Sequence, residues 1–125
     1  MNELVAVARQ RLIEGGYTCV MLSRGEEFTS FERGVKPLIE FLDGKHSFAG
    51  AVAADKCVGA GAAHLYVLLG VSAVWANIIS ASALEVLETV GIKAYYEKCV
   101  PPEGSTHSMQ NIDNQCGLRQ SIRGS

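Results

Sequence analysis

Phe48-Ala49-Gly50-Ala51-Val52-Ala53-Ala54-Asp55-Lys56-Cys57-Val58-Gly59-Ala60-Gly61-Ala62-Ala63-His64-Leu65-Tyr66-Val67-Leu68-Leu69 is the longest apolar, small-residue stretch in the chain. The architecture turns on how it folds. From about Ala54 to Leu69 the side chains repeat at helical spacing. Val58, Ala62, Leu65 and Leu69 would line one face, and Cys57, Gly61, His64 and Leu68 the next. A helix apolar around most of its circumference is buried on more than one side. Phe48 to Ala51 then reads as an extended segment leading into it. The head of the stretch carries one adjacent pair of opposite charges, Asp55 and Lys56.

On the C-terminal side, Val71 to Ile79 has almost no polar residues, as expected of a strand covered on both faces of a parallel sheet. Ser80 to Glu85 opens the next helix, with Ser82 and Glu85 at capping-box spacing, and that helix ends at Gly91. Ile92 to Cys99 alternates as a further strand, stopped by Pro101-Pro102. On the N-terminal side, Leu4, Val5, Ala8, Leu12 and Ile13 mark a helix closed by Gly15-Gly16. Tyr17 to Leu22 and Glu27 to Phe31 form a hairpin across Arg24-Gly25-Glu26. Arg33-Gly34-Val35-Lys36-Pro37 begins another helix, with Pro37 in the first turn. The order is helix, hairpin, helix, buried helix, strand, helix, strand. It predicts an α/β fold, a three-layer α/β/α sandwich with a mixed, mainly parallel sheet.

The 125 residues make one domain over 1–101, followed by a polar segment over 102–125. That segment, rich in Ser, Asn, Gln and Gly, reads as a mobile tail or as an arm on a neighbouring subunit of a homo-oligomer. Hydrophobic residues at 48% and charged residues at 19% give a globular composition, and a formal charge of −2 offers no basic field for a polyanion. No nucleic-acid partner is expected. Four scattered cysteines and an N-terminus without a basic region point to free thiols in the cytoplasm. The run from Cys57 to Ile79 is long enough to span a bilayer, but Gly70-Val71-Ser72 interrupts it, so no membrane partner is expected either.

Glu32-Arg33-Gly34-Val35-Lys36-Pro37-Leu38, Ala53-Ala54-Asp55-Lys56, Val58-Gly59, Leu65-Tyr66-Val67-Leu68-Leu69-Gly70 and Ala83-Leu84-Glu85-Val86-Leu87-Glu88 together resemble a small bacterial and archaeal family. That family has a cytidine-deaminase-like fold and no assigned reaction. The resemblance covers residues 3 to 101 and implies an α/β/α domain. Two departures stand out. A basic residue is usual where this chain has Ala60, and the family's segment beyond the last strand, ending in a Cys-Pro pair and a short helix, is not matched by residues 102–125.

Zinc deaminases need His-x-Glu at one helix start and Pro-Cys-x-x-Cys at the next. The corresponding places here are read as Ala53-Ala54-Asp55 and Ser80-Ala81-Ser82-Ala83, which carry no metal ligands. No metal and no cofactor are expected, and zinc-dependent deamination is excluded. Asp55 suits a helix N-terminus as a cap. Lys56 does not, and if buried there it would serve with Asp55 as a base or amine nucleophile. In solvent, or paired with Asp55 or Glu88, it would do neither. Arg33 and Lys36 flank Gly34 where a helix start could hold an anion. Ser80 and Ser82 stand at the carboxyl end of the central strand, where open α/β sheets bind ligands.

Three functions remain open on these residues. The first is binding of a small nucleotide-like or anionic molecule at the helix starts near 54 and 82. The second is an enzyme using Asp55 and Lys56, and the third is a structural module with a vestigial pocket.

Overall fold

Asn2 opens the first helix, α1 (Glu3–Gly15), by accepting the Val5 N–H on its side chain at 2.8 Å. Gly16 closes it in the left-handed region, at φ 68°. Val5, Ala8 and Leu12 form its buried stripe. Strands β1 (Cys19–Ser23) and β2 (Glu26–Ser30) follow as the expected hairpin, then α2 (Lys36–Asp43) with Pro37 in its first turn. The remainder is β3 (Val52–Val58), α3 (Ala60–Leu69), β4 (Ala73–Ser80), α4 (Ala81–Thr89) and β5 (Lys93–Val100). This computed structural model describes residues 2–44 and 46–101, so the expectations for 102–125 lie outside the described residues.

The largest departure falls on the central stretch. Residues 54 to 58 are strand, not helix, and the helix begins only at Ala60. An apolar run cannot distinguish a buried strand from a buried helix by periodicity alone. The strand wins because β3 is paired on both sides, antiparallel to β1 and parallel to β4. Its residues from Val52 to Asp55 are all buried, as in a strand covered on both faces. Gly59, extended, is the break between the two elements and the N-cap of α3.

The helix that follows is also less enclosed than its composition implies. Ala62, Ala63, Tyr66 and Leu69 are buried, whereas Gly61, His64 and Leu68 face solvent. Gly70 ends it at φ 79°.

The five strands form one mixed sheet in the order β2-β1-β3-β4-β5. Only β1 runs against the rest, since it is antiparallel to both neighbours while β3, β4 and β5 are mutually parallel. Helix α1 lies across β1, β3 and β4, and α2, α3 and α4 pack side by side. Two apolar clusters show the layering. On one face Val5, Ala8 and Leu12 of α1 meet Val20, Val52, Ala54, Ala73 and Trp75. On the other, Leu38, Ala62, Tyr66, Ala83 and Leu87 meet Met21, Ala53, Val74 and Ala76. Each fully buried Val or Leu contributes about 1.5–3 kcal/mol. The result is a three-layer α/β/α arrangement.

No helix among the described residues is long and apolar enough to cross a membrane.

Candidate functional site

Strand β3 places the two charges that the sequence singles out, and it separates them. Side chains alternate along a strand. Ala54 packs into the α1 cluster, so Asp55 points to the helix-rich face and Lys56 back toward α1. The expectation that both sit at a helix N-terminus is therefore corrected, because neither belongs to a helix. Lys56 is exposed, so the burial needed for amine chemistry is absent.

Asp55 is 6% exposed. Its Oδ2 accepts the Tyr66 hydroxyl at 2.7 Å, and its Oδ1 accepts the Cys57 N–H at 3.2 Å. The Tyr66 oxygen also lies 3.4 Å from the Cys19 Sγ, so β1, β3 and α3 meet in one buried polar contact. Burial pushes the Asp55 carboxyl up to about 7, against the hydrogen bonds from Tyr66 and the Cys57 and Lys56 backbone, which pull it down. Burial raises the Cys19 thiol as well, reinforced by the charge of Asp55. The Tyr66 phenol is raised by burial first and by the same charge second.

Above Asp55 lies a cleft of about 300 Å³ lined by Thr18, Arg33, Gly34, Asp55, Lys56 and Cys57. It stands at the carboxyl end of β3, beside the one strand of reversed direction. The Lys56 N–H donates to the Thr18 carbonyl at 3.1 Å, the last link between β3 and the start of β1. The Thr18 hydroxyl shares its proton between the carbonyls of Ser30, at 3.0 Å, and Glu32, at 2.6 Å. That tie fixes the segment carrying Arg33. Gly34, at φ 66°, turns the chain toward α2 in a conformation that other residues adopt at a cost.

Of the six residues proposed from sequence, the cleft brings together Arg33, Asp55 and Lys56. Lys36 instead pairs with Glu32 at 3.3 Å on the surface. Ser80 is the N-cap of α4, its buried hydroxyl accepting the Ala83 N–H at 3.1 Å. Ser82 lies inside the first turn, which corrects the capping box proposed from Ser82 and Glu85: the helix starts two residues earlier than that spacing implies.

Thr18 and Cys57 line the cleft and Tyr66 and Cys19 support it, and none of the four was among the site residues proposed from sequence. Only strand pairing brings Cys19 opposite Asp55. His64, expected on a buried face, is exposed, with its Nδ1 2.8 Å from the Ala60 carbonyl oxygen. Among the described residues no group of three or more His, Cys, Asp or Glu side chains is placed to hold a metal ion.

With this geometry in place, comparisons with known proteins identify the family. A family model described as TM1506, domain of unknown function (DUF1893), matches residues 7–121. The match runs past residue 101, where the sequence resemblance stops. Among solved structures, the fold is similar to that of a DUF1893 family protein (TM1506) from Thermotoga maritima, with a TM-score of 0.71. The two share 23% identity over 80% of this chain and 68% of the other, a likeness that speaks to fold alone. No curated protein matches. The chain belongs to the DUF1893 family, a domain of unknown function.

Proposed function

We propose that this protein uses a deaminase-like α/β/α fold, without zinc, to bind a small nucleotide-like or anionic molecule in the cleft over Asp55. One observation carries the reading. Arg33, exposed and with no ion-pair partner among the described residues, stands on the rim of a cleft whose floor is the buried Asp55 carboxyl. A guanidinium on the rim attracts an anionic group. A carboxyl on the floor accepts a hydrogen bond from a ring N–H or amino group, or donates one when protonated. The cleft also stands where open α/β sheets place ligands, outside the carboxyl ends of the strands and at a change of direction.

The helix starts that follow β3 and β4, Gly59-Ala60-Gly61 and Ser80-Ala81-Ser82-Ala83, contain neither His-x-Glu nor Pro-Cys-x-x-Cys.

The test is thermal unfolding of the full chain with nucleoside monophosphates, nucleosides and inorganic phosphate. A ligand at about a hundred times its Kd adds about 2.7 kcal/mol, a readily measured upward shift. Arg33→Gln should remove that shift for the phosphorylated compounds. No shift with any compound would count against the reading.

A second reading, catalysis, narrows from the Asp55 and Lys56 pair to Asp55 alone. A buried carboxyl titrating near 7 at the base of a cleft is poised for general acid–base work. It is tested by Asp55→Asn once a turned-over ligand is found: binding should persist and turnover should cease.

A further inference from the structure

On the opposite face of the sheet, Lys56 belongs to a second recess. This one holds about 270 Å³ and is lined by Leu12, Ile13, Gly16, Lys56, Trp75 and Asn77. It opens where α1 ends at Gly16, leaving the carboxyl ends of β3 and β4 uncovered beyond the last turn. Asn77 is the one polar residue within Ala73-Val74-Trp75-Ala76-Asn77-Ile78-Ile79, a strand otherwise apolar until Ser80. It is only partly buried, and its amide has no hydrogen-bond partner among the described residues. A polar side chain in such a strand normally finds a partner.

The β3–β4 register pairs Asp55 with Ala76 and Cys57 with Ile78, so Lys56 and Asn77 are side by side on one face. Neighbouring strands lie about 4.8 Å apart. Lys56, exposed, has no ion-pair partner among the described residues either. The next position on β5 is Glu97, whose exposed carboxylate limits how much negative charge the row tolerates. The remaining walls are Leu12, Ile13, at 57% exposure, Gly16 and Trp75, over whose ring Arg9 lies 5.3 Å from the centre.

We infer that this recess is a second binding site, for a small organic anion. Its carboxylate or phosphate oxygens would be held by the Lys56 ammonium and the Asn77 amide, and its apolar body would lie against Leu12, Ile13 and Trp75. Both groups donate hydrogen bonds, and their placement on adjacent strands suits two oxygens of one anion. The volume equals roughly nine water molecules, enough for a single ring with one anionic substituent. Lys56 lines both this recess and the cleft over Asp55, but Asn77 and Trp75 do not line the cleft, and Thr18 and Arg33 do not line the recess.

The experiment is a titration of the 15N-labelled full chain with benzoate and with phenyl phosphate, followed by NMR. The expected result is saturable shifts of the Gly16 N–H and the Asn77 side-chain amide with at least one probe. Which probe binds tells carboxylate from phosphate preference. Asn77→Leu should weaken that binding by about tenfold or more, and so should Asn77→Asp, which keeps the shape and adds a repelling charge. Arg33→Gln should leave it unchanged. Absence of saturation with both probes at tens of millimolar would overturn the inference. So would binding lost in Arg33→Gln but kept in both Asn77 variants, a pattern that would instead assign the probe to the cleft over Asp55.

Discussion

Replacing Asp55 with Asn should change how stability depends on pH more than it changes stability itself. The folded carboxyl titrates at about 7 against an ordinary value of 3.8. Below the lower value both folded and unfolded chains carry the proton, and Asp55 contributes nothing to the pH dependence. Between the two values the folded state keeps a proton that the unfolded state has released, so stability falls as pH rises. Above about 7 both are ionised, and the full cost of a buried carboxylate is present. The gap from 3.8 to about 7, at 1.36 kcal/mol for each pH unit, comes to roughly 4 kcal/mol.

An asparagine has nearly the same shape and no charge to bury, so the variant should lack this fall. Urea unfolding of both proteins from pH 4 to pH 8 measures it. The stability difference between the Asp55→Asn variant and its parent should move in the variant's favour by about 4 kcal/mol across that range. In thermal unfolding this amounts to a relative gain on the order of ten degrees. Parallel curves for the two proteins would rule it out, because they would mean that Asp55 titrates alike in the folded and unfolded chains.

Three other outcomes follow from the same contacts. Tyr66→Phe removes the hydroxyl that Asp55 accepts at 2.7 Å; by urea unfolding it should cost about 1.5–3 kcal/mol at pH 8, where the partner is charged, and less at pH 5. Ser80→Ala should cost about 1 kcal/mol through loss of the α4 cap, whereas Ser82→Ala should stay within about 0.5 kcal/mol, measured by the same method. Leu38→Ala should cost about 2–5 kcal/mol at a fully buried position, and Leu68→Ala should do little at 70% exposure.

The layers, the hairpin and four of the five strands were legible in the sequence because turn residues bound them and the patterning has one period. Gly15-Gly16, Pro37 and Gly91 each punctuate an element where the structure ends or begins one, to within a residue or two. The central stretch was not legible. Ala53-Ala54-Asp55-Lys56 suits a helix by local propensity, and only pairing with β1 and β4 forces it extended. That one shift moved the expected site: Asp55 and Lys56 left a helix start for the end of a strand and parted to opposite faces. Arg33 stood out in the sequence for its place beside Gly34 at a helix start, and it lines the cleft. Thr18, Cys57 and Tyr66 were not among the residues proposed, because their roles depend on the register between β1 and β3 and on the packing of α3. Asn77 carried a signal, a lone amide in an apolar strand, but that signal gains meaning only beside Lys56.

Binding of a small anionic ligand in the cleft over Asp55 is open to direct observation by NMR of the 15N-labelled full chain, titrated with nucleoside monophosphates. Saturable shifts are expected at Thr18, Gly34 and Cys57, and they should disappear in Arg33→Gln. No saturable shifts there, or shifts unaffected by removing the Arg33 guanidinium, would contradict binding at this cleft.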